Sequence, residues 1–472
     1  MTSRPLSLNN LRHIFLIILW ITSLGTQAQT TFEKLYSYPL KQIGVQGIQL
    51  SQGYLISTKI DDCGPCDGYI QFIRIDDSGD TIRTFNIPNL GNEQGPVSTL
   101  FLNDQHLVIA ANNTNGITNQ VALINSDTLG NIFWSYVLSD PLYDYSANAM
   151  IKIDSNYLIT GMRSVPGSPQ LTRTFLLSVS KAGNFNWLNS YGNPYENFAT
   201  GLRLQNEEVY ITGSMFDTVR QKVQPFIFKT DTAGNLFQFN EIILASDAAP
   251  TGIAGDAISN YVYGYTIDSL QNINSLLIRL DLNLDTMWTS MVDQGRNETV
   301  RCGIPNEIGG ITLSTSVSSS GNTGGDILLC KYDSTGSTVF MKTINGFNNE
   351  PFSSSLIQTQ DLGFLIVTTS YNNLNHSSAC AFKTDSLGEI ITTISSSKKS
   401  PLEIYPNPSN GIIHFDNDSK ILKIEIINLH GKILKQFKES AIDITGYENG
   451  IYIFKVYLEF NMVVYGKLIK ED

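Results

Sequence analysis

Histidine, basic charge and helical periodicity are all scarce in this chain. Five histidines stand among 472 residues, and His13 lies in the first thirty. The others, His106, His376, His414 and His430, form no pair at metal-ligand spacing, and no Gly-x-Ser-x-Gly elbow accompanies the many serines. Neither a metal site nor a cofactor motif is expected. Charged residues make up 16%, well under the usual quarter, and 43 acids against 31 bases give a formal charge of −12. That balance argues against nucleic acid as a partner, which requires a basic footprint. No window holds a 3.6-residue apolar period over ten residues, so helices are not expected.

Long apolar runs are also missing, with one exception. Ile14 to Ile21 follows Arg4, Arg12 and His13 and precedes Thr26-Gln27-Ala28. This pattern reads as a secretory signal peptide, residues 1–28, too short to span a bilayer. No Cys follows the apolar core, which argues against a lipid anchor, and no transmembrane segment is expected in the mature chain. Cysteine is limited to five residues, all in the exported part. Cys63 and Cys66 lie in Cys-Gly-Pro-Cys, between two strand-like runs and without a helical pattern behind them. Redox catalysis by this tetrapeptide depends on a helix N-terminus, so a loop-stapling disulfide is the preferred reading. Cys302, Cys330 and Cys380 fall on strand patterns and read as small core residues.

What is abundant is repetition. An apolar run ending in Asp, followed by a Gly turn and a second apolar run, occurs seven times. The turns are Asp76–Gly79, Asp127–Gly130, Ser180–Gly183, Asp231–Gly234, Asp281–Leu284, Asp333–Gly336 and Asp385–Gly388. Their last positions step by 51, 53, 51, 50, 52 and 52 residues. Each period contains four short β-branched and aromatic runs separated by polar turns. The expectation is an all-β chain whose residues 29–392 form a seven-bladed β-propeller. A linear β-solenoid is the less favoured alternative. In each turn the Asp accepts backbone N–H bonds and Gly supplies the left-handed φ. Where Leu284 replaces Gly, Asn283 is expected to take the left-handed position. Phe32–Tyr38 resembles a fourth strand but precedes the first repeat, so it should close the ring by pairing into the last blade.

A second register is acidic. Glu93, Asp144, Glu196, Asp247, Glu298 and Glu350 step by 51, 52, 51, 51 and 52, each just before an expected innermost strand, with Gln42 another 51 back. They read either as a carboxylate ring round a channel or as caps that serve their own blades, and the second reading is preferred. Residues that break the symmetry on that face are better ligand candidates. They include Tyr143, Tyr145, Tyr195 and Arg296, with Phe198, Phe347 and Phe352 beside them. Aromatics with acids round a concave mouth suit a glycan or a peptide, although packing between blades accounts for them as well.

The pattern changes after a polar linker, 393–401. Leu402-Glu-Ile-Tyr405-Pro406-Asn407-Pro408, with Gly411 soon after, opens the tail. Gly431-Lys432 follows in a hairpin, then Gly450, Tyr452 and Lys455, then a Lys-rich end. Seven short strands in this length suggest a small immunoglobulin-like sandwich. These motifs resemble the type A C-terminal sorting domain of the type IX secretion system, over essentially all of 402–472. The resemblance implies a Bacteroidota source, passage through the periplasm and the type IX machinery as partner. It also implies a final location outside the cell or on its surface. The functional expectation is a secreted or surface propeller that binds glycan or protein without catalysis. The alternative is a polysaccharide-active hydrolase or lyase using carboxylates at the channel mouth.

Overall fold

The computed structural model describes residues 29–471 except 62–67, 104, 193–195, 293–294, 319–324, 346–350, 372–376, 391–402, 417–420, 429–431, 439–440 and 459–462. The expected signal peptide, the Cys63–Cys66 pair, Tyr195, Glu350 and Gly431 lie outside the described residues. The chain divides into two compact units, 1–391 and 392–472.

The first unit is built from seven four-stranded antiparallel sheets and has no helix among its described residues. Six sheets are consecutive in sequence, spanning 41–87, 93–138, 144–191, 197–241, 247–292 and 297–345. The seventh takes three strands from 351–384 and its outermost from Phe32–Tyr36, which pairs antiparallel with Ser377–Thr384. The N-terminal strand thus completes the last sheet, as the spare repeat element requires. Burial follows position in each sheet. The middle strands are covered on both faces and are buried almost without a break, such as Tyr69–Ile75 and Lys222–Thr230. The outermost strands keep exposed residues, such as Phe133, Phe185 and Met287.

The core is divided into seven layers. One apolar cluster fills the space between each sheet and the next, and a seventh joins the last sheet to the first through Tyr54, Ile56, Leu365 and Val367. Sheets packed in a cycle have no open end, so the arrangement is a β-propeller. Each sheet stacks its inward and outward residues against two neighbours, which explains why alternation is weak in the middle strands.

The repeating turn follows the third strand of every sheet, and in the first six it leads into the fourth. Asp76, Asp127, Asp231, Asp281, Asp333 and Asp385 each accept two backbone N–H bonds, from the residues two and four places on. Ser180 accepts one, from Asn184 at 3.1 Å. The left-handed residue in the fifth turn is Leu284, with φ 67°, and not Asn283. Leu284 is fully buried between the fourth and fifth sheets, and that burial offsets the steric cost of its backbone.

The second unit has a three-stranded sheet, Glu403–Tyr405, Ile412–Asp416 and Ala441–Asp443, and a four-stranded one. The four-stranded sheet runs Ile433–Phe437, Ile421–Ile427, Gly450–Leu458 and Val463–Lys470. One core, with Ile413, Ile424, Ile426, Phe454 and Leu468, is shared by both sheets.

Candidate functional site

All seven innermost strands carry a β-bulge at the same place. The extra residues inserted there are Val45, Val97, Asn148, Thr200, Thr251 and Ser354, with Arg301 in the sixth sheet. These bulges line a central channel of about 330 Å³. A bulge bends the strand and turns it from its partner, which lets seven strands converge on one axis. Side chains beside the bulges tie one innermost strand to the next. Asn148 Nδ2 donates to Ala199 O at 2.6 Å and Thr251 Oγ1 donates to Val300 O at 2.6 Å. Gln46 exchanges two bonds with the Thr99 backbone, at 2.7 and 3.1 Å.

The acidic register lies at the start of these strands and stays out of the channel wall. Counted back from the bulges, Glu93, Asp144, Glu196 and Asp247 occupy one position and Glu298 the next. Asn297 is the residue that matches the other acids. Gln42 shares the register of Glu298, and both are buried. The shared position has a structural task. Asp144 Oδ1 accepts the Asn119 N–H at 2.7 Å, Asp247 Oδ1 accepts the Val223 N–H at 2.7 Å and Asn297 Oδ1 accepts the Ile273 N–H at 3.1 Å. In each case the acceptor pins the third strand of the preceding sheet. Glu196 is exposed and receives the Phe216 N–H on its carbonyl.

The symmetry-breaking candidates separate in space. Tyr145 is only 2% exposed and meets Phe175 edge-on at 5.5 Å. Tyr143 lies under the Arg163 guanidinium, 4.2 Å from its ring centre. Arg296 pairs with Asp326 at 2.9 Å in the sixth sheet, far along the ring.

One group of candidates does converge. A cavity of about 370 Å³ opens among the first three sheets, lined by Lys59, Glu93, Asn113, Asn119, Tyr145 and Ser146 with their neighbours. Lys59 is its charged centre, with Nζ 2.5 Å from Glu93 and 2.9 Å from Asp61. Burial pulls the Lys59 ammonium down, but hydrogen bonds from the two carboxylates outweigh it and hold its pKa above the ordinary value. Lys59 escaped the sequence reading, although a lysine inside the apolar run Tyr54–Asp61 is a signal of an inward charge. A second cavity, about 280 Å³, is apolar and lined by Tyr191, Phe226, Phe228 and Phe239 with Asn197. Among the described residues no three His, Cys, Asp or Glu side chains gather as a metal site, and no helix is long and apolar enough to cross a membrane.

In the second unit the Tyr-Pro-Asn-Pro motif lies along the last strand. Asn407 donates Nδ2 to Lys467 O at 2.7 Å and accepts the Ile469 N–H at 2.9 Å. Ser409 continues the pairing, its N–H donating to Ile469 O and its carbonyl accepting from Glu471. Tyr405 stacks on His414, and Tyr452 donates its hydroxyl to Glu448 O. Residues 403–471 match the family described as secretion system C-terminal sorting domain. The tail carries the type IX sorting domain. This sorting domain marks the chain for export to the cell surface or beyond by the type IX machinery.

No curated protein matches the chain. Among solved structures, the propeller domain of the Trilobed protease from Pyrococcus furiosus is 7% identical, with TM-score 0.44, over 78% of this chain and 98% of that one. A polysaccharide lyase acting on ulvan is 10% identical, with TM-score 0.47, over 76% and 97%. A puromycin hydrolase is 12% identical, with TM-score 0.43, over 73% and 52%. Likeness at this level assigns none of their activities to the present chain.

Proposed function

We propose that this protein is an exported seven-bladed propeller that binds a glycan or a protein segment without catalysis. Its candidate binding site is the cavity centred on Lys59 and Glu93. The observation that carries this reading is the asymmetry of that cavity. The sheets repeat one another, yet Lys59, Glu93 and Tyr145 come together among the first three sheets. The site offers charge, amide and aromatic groups in a concave space, which is the composition a polar ligand needs. Its carboxylate, Glu93, is held by Lys59 at 2.5 Å, an arrangement suited to recognition and ill suited to acid–base hydrolysis. Asp144, Asp247 and Tyr143 belong to the same proposed ligand-binding set, with Glu196, Glu298 and Arg296 further round the ring; Glu350 and Tyr195, outside the described residues, are assigned to that set from the sequence alone.

The signal peptide takes the chain to the periplasm, and the sorting domain, an immunoglobulin-like sandwich, takes it across the outer membrane. Cys63 and Cys66 form a disulfide in the exported protein. A glycan and peptide array with purified protein tests the binding role, with Lys59→Ala as control. Ligands that bind the wild type and not K59A support the site, whereas turnover of a polysaccharide would replace this reading with the lyase or hydrolase one. Deleting 402–472 should leave the propeller in the periplasm, and surface display of that truncation would refute the route.

A further inference from the structure

Level with the third residue before each bulge, the second strand of a sheet pairs with its third strand through one recurring position. In six sheets that pair holds no basic residue. It is Ile60–Tyr69, Asn113–Gln120, Met215–Gln224, Thr266–Asn274, Val317–Asp326 and Ser370–Ser378. In the third sheet it is Arg163 opposite Arg173. Directly opposite residues share one face of the sheet with Cβ atoms about 5 Å apart, so two like charges there repel. The second sheet joins its pair by a bond, Asn113 Nδ2 donating to Gln120 Oε1 at 3.0 Å. Two guanidinium groups have no such bond to make, since both only donate.

Both arginines are half-buried. Arg163 stands opposite Tyr145 on its other side, and its guanidinium lies 4.2 Å from the centre of the Tyr143 ring. Neither arginine forms an ion pair with a carboxylate among the described residues. The acids of the adjoining connection are engaged with backbone: Asp140 Oδ1 accepts the Leu142 N–H at 2.8 Å and Asp144 Oδ1 the Asn119 N–H at 2.7 Å. Of the residues that adjoin these strands in sequence, those outside the description add no charge. Residues 193–195 read Asn-Pro-Tyr, and the side chains at the hairpin tip are Pro169 and Gln170. Glu196, which precedes the fourth sheet, is exposed.

We propose that Arg163 and Arg173 hold one oxyanion between them, a carboxylate or sulfate group of the ligand. Each guanidinium presents a planar fork of donors that matches an oxyanion in parallel hydrogen bonds. An anion between the two forks turns a repulsion into two attractions. The Tyr143 ring beneath Arg163 holds one fork in place. Half-burial strengthens the attraction relative to open water. Tyr145 belongs both to this row and to the lining of the Lys59 cavity. The proposal therefore rests on the binding role given above and deepens it, naming the ligand as acidic. The arginine pair itself does not require Lys59.

The probes are sodium sulfate and sodium glucuronate, titrated calorimetrically into the full secreted protein at an ionic strength held constant with sodium chloride. Glucose is the uncharged control. Wild type should bind at least one anion and bind glucose at least tenfold more weakly. Arg173→Gln installs the residue that the second and fourth sheets carry at this position. It should lose at least tenfold in affinity for that anion, while its melting temperature without anion stays at or above that of wild type. Arg173→Lys should keep an intermediate affinity, and it remains informative if Arg173→Gln does not fold. Sulfate binding alone identifies a sulfate site, and glucuronate binding alone a carboxylate site. Absence of both, equal binding of glucose, or unchanged affinity in both Arg173 variants overturns the proposal. Lys59→Ala should leave anion binding unchanged. If Lys59→Ala loses the anion and the Arg173 variants keep it, the arginine pair is overturned while the cavity reading stands.

Discussion

Gly183 lies flat against the indole of Trp134, so close that a Cβ added to it would stand 2.6 Å from Cε3 of the ring. Trp134 belongs to the fourth strand of the second sheet and Gly183 to the repeating turn of the third. The same contact recurs between Gly234 and Trp187, Gly336 and Trp288, Gly388 and Phe340, and, across the closure, Gly79 and Phe32. The turn glycine therefore serves two purposes. It adopts a positive φ, and it leaves room for an aromatic ring from the sheet before.

These two purposes can be separated. Gly183 has φ 83° and a crowded Cβ site, whereas Gly167 has φ 75° and open space. Gly167→Ala should cost about 1 kcal/mol, the backbone term alone. Gly183→Ala should cost about 2–4 kcal/mol, because displacement of the indole adds to it. Urea unfolding of the two variants measures the difference, and equal losses would show that the ring contact contributes nothing.

The fifth turn supplies the converse case. Four residues after the preceding turn stands Gln238, where other sheets have Trp134, Trp187, Trp288 or Phe340. Against it lies Leu284 in place of glycine, with Gln238 Nε2 donating to Asn283 O at 2.5 Å and Asn240 Nδ2 to Leu284 O at 2.7 Å. Side chain and vacancy have changed places between the two sheets. Gln238→Trp should cost about 2 kcal/mol by overpacking and Leu284→Gly about 3–5 kcal/mol by loss of a buried side chain. The double variant should be more stable than the sum of the two losses by about 1–3 kcal/mol, read from a double-mutant cycle. Strict additivity would refute the exchange.

How much was legible in the sequence follows from the same residues. The turn glycines repeat because every sheet needs one, so their interval counted the sheets, and Phe32–Tyr36 stood out as a strand without a repeat. The acidic register was harder. Glu298 keeps the interval of its fellows, yet it lies one position along from them relative to its bulge and is buried. A period measured in residues is blind to a shift of one, and a shift of one reverses the face of a strand. Lys59, Glu93 and Tyr145 belong to three different sheets, and Arg301 is a single arginine at a position otherwise neutral. Neither grouping has a linear motif. Stacking of successive sheets brings the first three together.

Acid should weaken the turns. The Asn235 side-chain amide and then the turn N–H groups hold the Asp231 carboxyl below its ordinary pKa, the Ser78 hydroxyl does so first for Asp76 and the Thr335 hydroxyl for Asp333. A carboxyl depressed on folding stabilises fully above its unfolded value, about 3.9, and loses that contribution as pH falls through the folded value. Asp231→Ala should therefore melt below wild type at pH 7, and the gap should narrow as pH is lowered from 4 to 2. A gap that is constant with pH would mean that the charge plays no part.

Lys383 is a fully buried cation whose Nζ donates to Asp361 Oδ2 at 2.9 Å and to Thr384 O at 2.8 Å. Burial lowers its pKa, which marks the cost of the charge. Asp361→Asn should cost about 2–4 kcal/mol, since it strands the ammonium, with some relief because Asp361 itself is partly exposed. Lys383→Met should be close to neutral, because it removes the charge that needs a partner. Chemical denaturation of both variants decides the matter. If Lys383→Met is the more damaging change, the pair is stabilising in its own right.

Asn407 offers a test inside the sorting domain. Its amide completes two hydrogen bonds with the backbone of the last strand, at Lys467 O and Ile469 N. Asn407→Asp keeps the acceptor and loses the donor that served Lys467 O, whereas Asn407→Ala loses both. Each lost side-chain bond should cost about 0.5–1.5 kcal/mol, with Ala the worse. The difference is best read by limited proteolysis of the 403–471 region, because release of the last strand exposes backbone that pairing now protects. If proteolysis is unchanged in Asn407→Ala while surface export is lost, Asn407 meets the secretion machinery directly. Parallel loss of protection and export would assign the motif to holding the last strand in place.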